Sequence, residues 1–106
     1  MKILFTLLFT IISTTSFAAR PQYNITLKDH KFSPDVIEVK AGEKFILIVD
    51  NQDKTIEEFE SHDLRIEKII GGNKSAKFNI KALKPGEYKF VGEFHEDDAK
   101  GTIIAK

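Results

Sequence analysis

From Tyr23 onward, apolar residues recur mostly at every second position, not at the three-and-four spacing of a helix. "YNITL" sets Tyr23, Ile25 and Leu27 against polar neighbours, as a half-buried strand does. "FSPDVIEVKAGE" predicts a strand that starts at Pro34, runs through Val39 and ends in an Ala41-Gly42 turn. "KFILIVDN" is a near-continuous apolar run, short and rich in Phe, Ile and Val, which fits a central strand. After the polar turn "NQDKT", "IEEFES" alternates again and "LRIEKII" forms a further strand closed by Gly71-Gly72. "AKFNI" places Ala76, Phe78 and Ile80 on one face. "KPGEYKFVGEF" opens on a Pro85-Gly86 turn and sets Tyr88, Phe90, Gly92 and Phe94 on one side, and "GTIIAK" closes the chain.

No segment sustains a 3.6-residue period. Single helical turns are expected only at "SHDL" or "DDAK", where Ser61 or Asp97 could cap them. Seven or eight short strands with turns at regular intervals predict an all-β protein, an antiparallel Greek-key β-sandwich. "GGNKS" has the wrong spacing for a phosphate-binding loop and reads as a hairpin turn.

The first stretch, "MKILFTLLFTIISTTSFAA", stands apart from this pattern. Lys2 gives a short positive region, Ile3 to Ile12 an apolar one too short to span a bilayer, and Ser16 and Ala18 the small residues of a cleavage site. Residues 1–18 therefore read as a signal peptide and 19–106 as the single domain, periplasmic or secreted. A membrane would be met only through that signal peptide. The domain has no cysteine, so its stability must come from its core, from bound metal, or from both. The formal net charge of zero offers no basic field for nucleic acid or anionic lipid.

Two segments hold the candidate chemistry. In "NQDKTIEEFES", Glu57 shares a strand face with Phe59, so if Phe59 fills the core, Glu57 points the same way near one end of the sandwich. A carboxylate there is partly desolvated, which is costly unless a cation or donor meets it. In "GEFHEDDAKG", Glu93, His95, Glu96, Asp97 and Asp98 crowd a turn before the last strand. Imidazole with carboxylate suits Cu(II), iron or zinc. Taken alone, each segment reads more readily as a solvated rim. A Greek-key sandwich can bring both loops to one end, and that convergence favours a metal site.

With these motifs in order, the sequence resembles a cupredoxin-like domain over nearly all of residues 32–106. A blue-copper protein of that kind has an Asn at a strand end, a His six residues on and a hydrophobic plug two later; here Asn51, Glu57 and Phe59 stand there. Its last ligand loop holds Tyr-x-Phe-x-Cys, then His, then Met before Gly; here Tyr88, Phe90, Gly92, His95, Ala99 and Gly101 stand there. Three of the four blue-copper ligands are thus replaced, by Glu57, Gly92 and Ala99, and only His95 fits. Without a thiolate, electron transfer of the blue-copper type is excluded. "EEFES" followed by "DL" and "EK", then "GEFH" and "AKG", is similar to the cupredoxin-like proteins of bacterial periplasmic iron uptake, the EfeO cupredoxin domain and FtrB type. That resemblance implies binding of iron or copper(II) beside a ferrous-iron permease and other periplasmic iron-uptake proteins. The implied metal ligands are drawn from Glu57, Glu58, Glu60, Glu93, His95 and Glu67.

Strand parity ranks Glu57 first. Glu58 and Glu60 point away from the core unless a bulge re-aims one. Glu67 reads more readily as an ion-pair partner of Arg65 or Lys68. His62 and Asp63 flank the first segment as outer groups, and His30 reads as a surface histidine at a strand end. Two other functions compete with metal binding. One is a metal-free sandwich module that binds a partner through a strand edge or apolar patch. The other is an acid/base enzyme or a ferroxidase component, for which the chain offers no nucleophile motif.

Overall fold

The computed structural model describes residues 3–12 and 20–106. Residues 3–12 have neither helix nor strand, and their large apolar side chains are exposed. Ser16, Ala18 and Ala19, where the signal-peptide cut is expected, lie outside the described residues, as does Lys2. No described helix is long and apolar enough to cross a membrane.

The described residues form nine strands: β1 (Gln22–Lys28), β2 (Lys31–Ser33), β3 (Val36–Val39), β4 (Phe45–Asn51), β5 (Glu57–Ser61), β6 (Ile66–Ile70), β7 (Ser75–Ile80), β8 (Gly86–Gly92) and β9 (Lys100–Ala105). A 3₁₀ turn, Glu93–His95, follows β8. The strands form two facing sheets, ordered β2-β1-β4-β7 and β3-β9-β8-β5-β6. The all-β sandwich expected from the alternation is present, with two differences. β1 pairs with β4, and β3 with β9, in parallel, so the sheets are mixed. The segment expected as one strand from Pro34 is two: β2 pairs with β1 in one sheet and β3 with β9 in the other. The chain crosses between the sheets at Pro34 and Asp35, and the Asp35 carbonyl accepts a bond from Thr102 N.

Inward positions follow the period-2 pattern closely. In β4 the odd positions Phe45, Leu47, Val49 and Asn51 are all buried. Phe59 is fully buried and meets Phe32 edge-on at 5.9 Å, Phe78 at 5.2 Å and Phe90 at 5.3 Å between ring centroids. Burial of such a ring stabilises by roughly 1.5–3 kcal/mol, and the T-shaped pairs add to it. This aromatic cluster lies directly beneath the end of the sandwich where the two acidic segments emerge.

Phe94 departs from the expected face. It is 46% exposed, because β8 ends at Gly92 and the 3₁₀ turn rotates the next residues out of the strand period. "GGNKS" is not a hairpin turn either. It links β6, at the edge of one sheet, to β7, at the edge of the other. A Cβ on Gly72 would overlap the Lys54 carbonyl, so only glycine lets this crossover pack against the 53–54 loop.

A candidate metal centre at one end of the sandwich

The register sets which residues share an end. Leu27 at the end of β1 lies beside Asn51 at the end of β4, and Phe59 near the start of β5 pairs with Gly92 at the end of β8. The β1–β2 turn, the 51–56 loop and the 93–99 loop therefore emerge together.

Asn51 organises the first loop. It is fully buried, and its side-chain amide donates to the carbonyls of Thr55, Ile70 and Gly71. Its side-chain oxygen accepts from Asp53 N at 3.0 Å. A buried amide so fully engaged fixes the direction in which β5 starts. Glu57 then points inward with Phe59, as parity required, and only 2% of it is exposed. The donors that such a carboxylate needs are present. Glu57 Oε1 accepts from Glu58 N at 3.0 Å and from Phe94 N at 2.9 Å. Its Oε2 lies 2.6 Å from His95 Nδ1, a charge-assisted pairing. The two segments thus meet at a single carboxylate.

The 93–99 loop is tight around His95. Its carbonyl accepts from Asp98 N and Ala99 N, and Gly92 N donates to the Ala99 carbonyl. Gly92 and Ala99 leave the space that Glu57 fills. A Cβ on Gly92 would lie 2.8 Å from both Glu57 Cδ and Ala99 Cβ. A side chain at 92 and the Glu57 carboxylate cannot both occupy that space, so the residues present do not fit a thiolate-ligated copper.

His30, read as a surface histidine, keeps 39% of its side chain exposed and yet borders this site. Its ring stacks on His95 with centroids 3.5 Å apart and planes 13° apart. Donor atoms of His30, Glu57 and His95 all fall within 4.8 Å of one another. Two imidazoles and a carboxylate suit Cu(II), zinc or non-haem iron. The sequence held one clue, a histidine in a two-residue turn, but nothing local says what that turn faces.

The remaining candidates form a second, outward-facing group. Glu58, Glu60 and Glu93 have carboxylate oxygens within 4.8 Å of one another. Glu58 and Glu60 point away from the core, as parity predicted, and no bulge turns either inward. Glu67 lies opposite Glu60 on β6, and among the described residues it has no ion pair with Arg65 or Lys68. Its neighbours are acids, which corrects the expected pairing. Hydrogen bonding to Glu67, then to Glu93, pushes the Glu58 carboxyl up to about 7. Glu60 is raised as well, first by Glu93, while His62 Nε2, 3.1 Å away, pulls it down. Asp63 accepts from Lys89 N at 2.8 Å. The five acids and one histidine expected as one ligand pool are thus divided by the sheet: Glu57 and His95 inside, Glu58, Glu60, Glu93 and Glu67 outside.

The cupredoxin-like domain family model matches residues 2–105. The chain belongs to the cupredoxin-like domain family. An uncharacterized protein of Rickettsia prowazekii is 51% identical to this cupredoxin-like chain over 83 residues, 78% of the chain and 66% of that relative's length. The fold is similar to the metal-binding domain of the Streptococcus pneumoniae Cu(I)-exporting P-type ATPase CopA, with a TM-score of 0.72, 14% identity and coverage of 80% and 84% of the two chains. It is also similar to the blue copper protein auracyanin A of Chloroflexus aurantiacus (TM-score 0.71, 12% identity, coverage 83% and 100%). A copper-binding protein solved in its apo form gives a TM-score of 0.73 at 13% identity, with coverage of 87% and 93%. At such identities these structures speak for the fold alone.

Proposed function

We propose that this cupredoxin-like protein holds a transition-metal cation, iron or copper(II), at the end of the sandwich, with Glu57 and His95 as ligands and His30 facing them. The observation behind this reading is the 2.6 Å contact between a carboxylate 3% exposed and an imidazole 32% exposed. The carboxylate is desolvated, and the imidazole is partly open to the outside. A cation arriving from solvent would meet the imidazole first, with the carboxylate behind it.

The metal would be cargo or a resident ion; when bound, it would supply Lewis acidity and access to two oxidation states. Glu57 favours hard, highly charged ions because a carboxylate oxygen is a hard donor and the chain has no soft thiolate. The outer acids Glu58, Glu60, Glu67 and Glu93 gather cations near the opening. We place the protein outside the cytoplasm, as an accessory of ferrous-iron uptake that hands metal to a permease. Support comes from the signal-peptide pattern of residues 1–18 and from the "EEFES" and "GEFH" motifs.

Calorimetric titration of the purified protein with Cu(II) and with iron tests the reading. Micromolar or tighter uptake that is lost in Glu57→Ala with His95→Ala is expected. No uptake of either metal by the unaltered protein would overturn it.

A further inference from the structure

The β1–β2 hairpin lies outside the loops that supply the expected ligands, yet its turn is the most elaborately held part of this end of the molecule. β1 and β2 pair as far as Lys28 and Lys31, leaving Asp29 and His30 as a two-residue turn. Both have positive φ, 51° and 58°. Such a pair is what a tight two-residue hairpin turn requires, and Asn-Gly or Asp-Gly supplies it with least strain. Here a histidine stands where glycine would be the relaxed choice, and Asp and His are among the few other residues that tolerate this region.

The turn is also clamped. Asp29 N donates to Asp53 Oδ1 at 2.7 Å, and His30 N to Asp53 Oδ2 at 3.0 Å. One carboxylate thus accepts both amides of the turn. Asp53 is itself fixed, since its own amide donates to the buried Asn51 side chain and its carbonyl accepts from Asn73 N. The nearest His30 ring nitrogen, Nδ1, is 3.6 Å from Asp53 Oδ2, within ion-pair reach but too far for a hydrogen bond, so the clamp's hydrogen bonds act on the backbone. The ring lies against His95, with centroids 3.5 Å and planes 13° apart, and brings a donor nitrogen within 4.8 Å of donor atoms of Glu57 and His95, so joint ligation of one cation requires the two rings to splay from this stack. A surface histidine needs neither the unfavoured backbone nor the two-amide clamp. Backbone strain of this kind persists where the surroundings over-determine it, and it concentrates at ligand-holding sites.

We infer that His30 is a third ligand of the centre formed by Glu57 and His95, and that Asp53 is the residue that positions it. The inference rests on the metal-binding reading above and specifies its donor set as two imidazoles and one carboxylate. It also makes the centre a joint product of both sheets, because His30 comes from the four-stranded sheet and Glu57 and His95 from the five-stranded one.

The test uses the purified protein titrated with Cu(II) at neutral pH, followed by pulsed EPR that counts coordinated imidazoles. The unaltered protein should show two, and His30→Ala one, with affinity at least tenfold lower. Asp53→Ala should weaken binding roughly 10–100-fold, as loss of a group that orients a ligand typically does. Asp53→Asn, which keeps one acceptor oxygen, should fall between. Circular dichroism confirms that each variant is folded. If His30→Ala binds Cu(II) with unchanged affinity and imidazole count, His30 is no ligand, while the Glu57–His95 centre stands. If His30→Ala loses one imidazole but Asp53→Ala behaves as the unaltered protein, the positioning role is wrong. If the unaltered protein takes up no Cu(II) or iron, the metal reading and this inference fail together.

Discussion

The Glu57 side chain lies across the backbone of Gly92: a Cβ on Gly92 would sit 2.8 Å from Glu57 Cδ and 3.0 Å from its Cγ. Real Cβ atoms do not approach other heavy atoms so closely, so the two positions are physically linked. In a blue-copper protein of this fold the corresponding pair is a histidine and a cysteine. Here the long acid reaches into space that an absent side chain has left. Gly92→Ala should therefore destabilise the fold by about 1–3 kcal/mol through overpacking. In a Glu57→Ala background that cost should shrink, because one of the two tight contacts is gone and neighbours are not additive. Urea denaturation of the four proteins in this cycle checks it.

Glu57 accepts two backbone hydrogen bonds and pairs with His95, and two substitutions separate these roles. Glu57→Ala leaves the Phe94 amide without its partner and should cost about 1–3 kcal/mol of stability. Glu57→Gln retains an acceptor oxygen and should be better tolerated. Both should weaken Cu(II) binding, because the amide is neutral and a poor ligand. Equal metal affinity in Glu57→Gln and the unaltered protein would count against the carboxylate as ligand.

Glu58 makes stability depend on pH in a defined direction. Shared hydrogen bonds with Glu67 and Glu93 raise its carboxyl from an ordinary 4.5 to about 7, so the folded state keeps a proton that the unfolded chain has lost. The stabilisation is complete below about 4.5 and disappears as pH rises to about 7. Glu67→Gln replaces one of the crowded acids by a neutral donor. Its urea midpoint should exceed that of the unaltered protein at pH 8, and the gap should narrow at pH 5. Parallel curves across that range would show that these carboxylates share no proton.

Phe59 connects the core to the site, since its fully buried ring lies one strand repeat from Glu57 and packs on Phe32, Phe78 and Phe90. Phe59→Ala should cost about 3–5 kcal/mol. Phe59→Leu should cost less, because more of the volume is kept. Thermal melting monitored by circular dichroism distinguishes the two.

The strands from β4 onward were legible because side-chain direction in a strand alternates with every residue, and a sheet buried on one face writes that alternation into the sequence. Parity alone placed Glu57 inward with Phe59, and Glu58 and Glu60 outward. It failed at Phe94, where the backbone leaves the strand period, and at Pro34, where one apparent strand serves two sheets. The ion pair expected for Glu67 from its chain neighbours also failed, because its acidic neighbours come from β5 and not from its own segment.

What the sequence determined by itself was the all-β class, the inward-facing set, the missing thiolate and the two acidic loops, since each depends on residues close together in the chain. Tertiary structure alone decided that the Asp29-His30 turn stacks on His95, that Asp53 holds that turn, and that the sheet divides the acids into an inner and an outer group. Those relations arise from pairing between strands far apart in sequence and from the facing of two sheets. Local pattern carries the direction of a side chain but not the identity of what it meets.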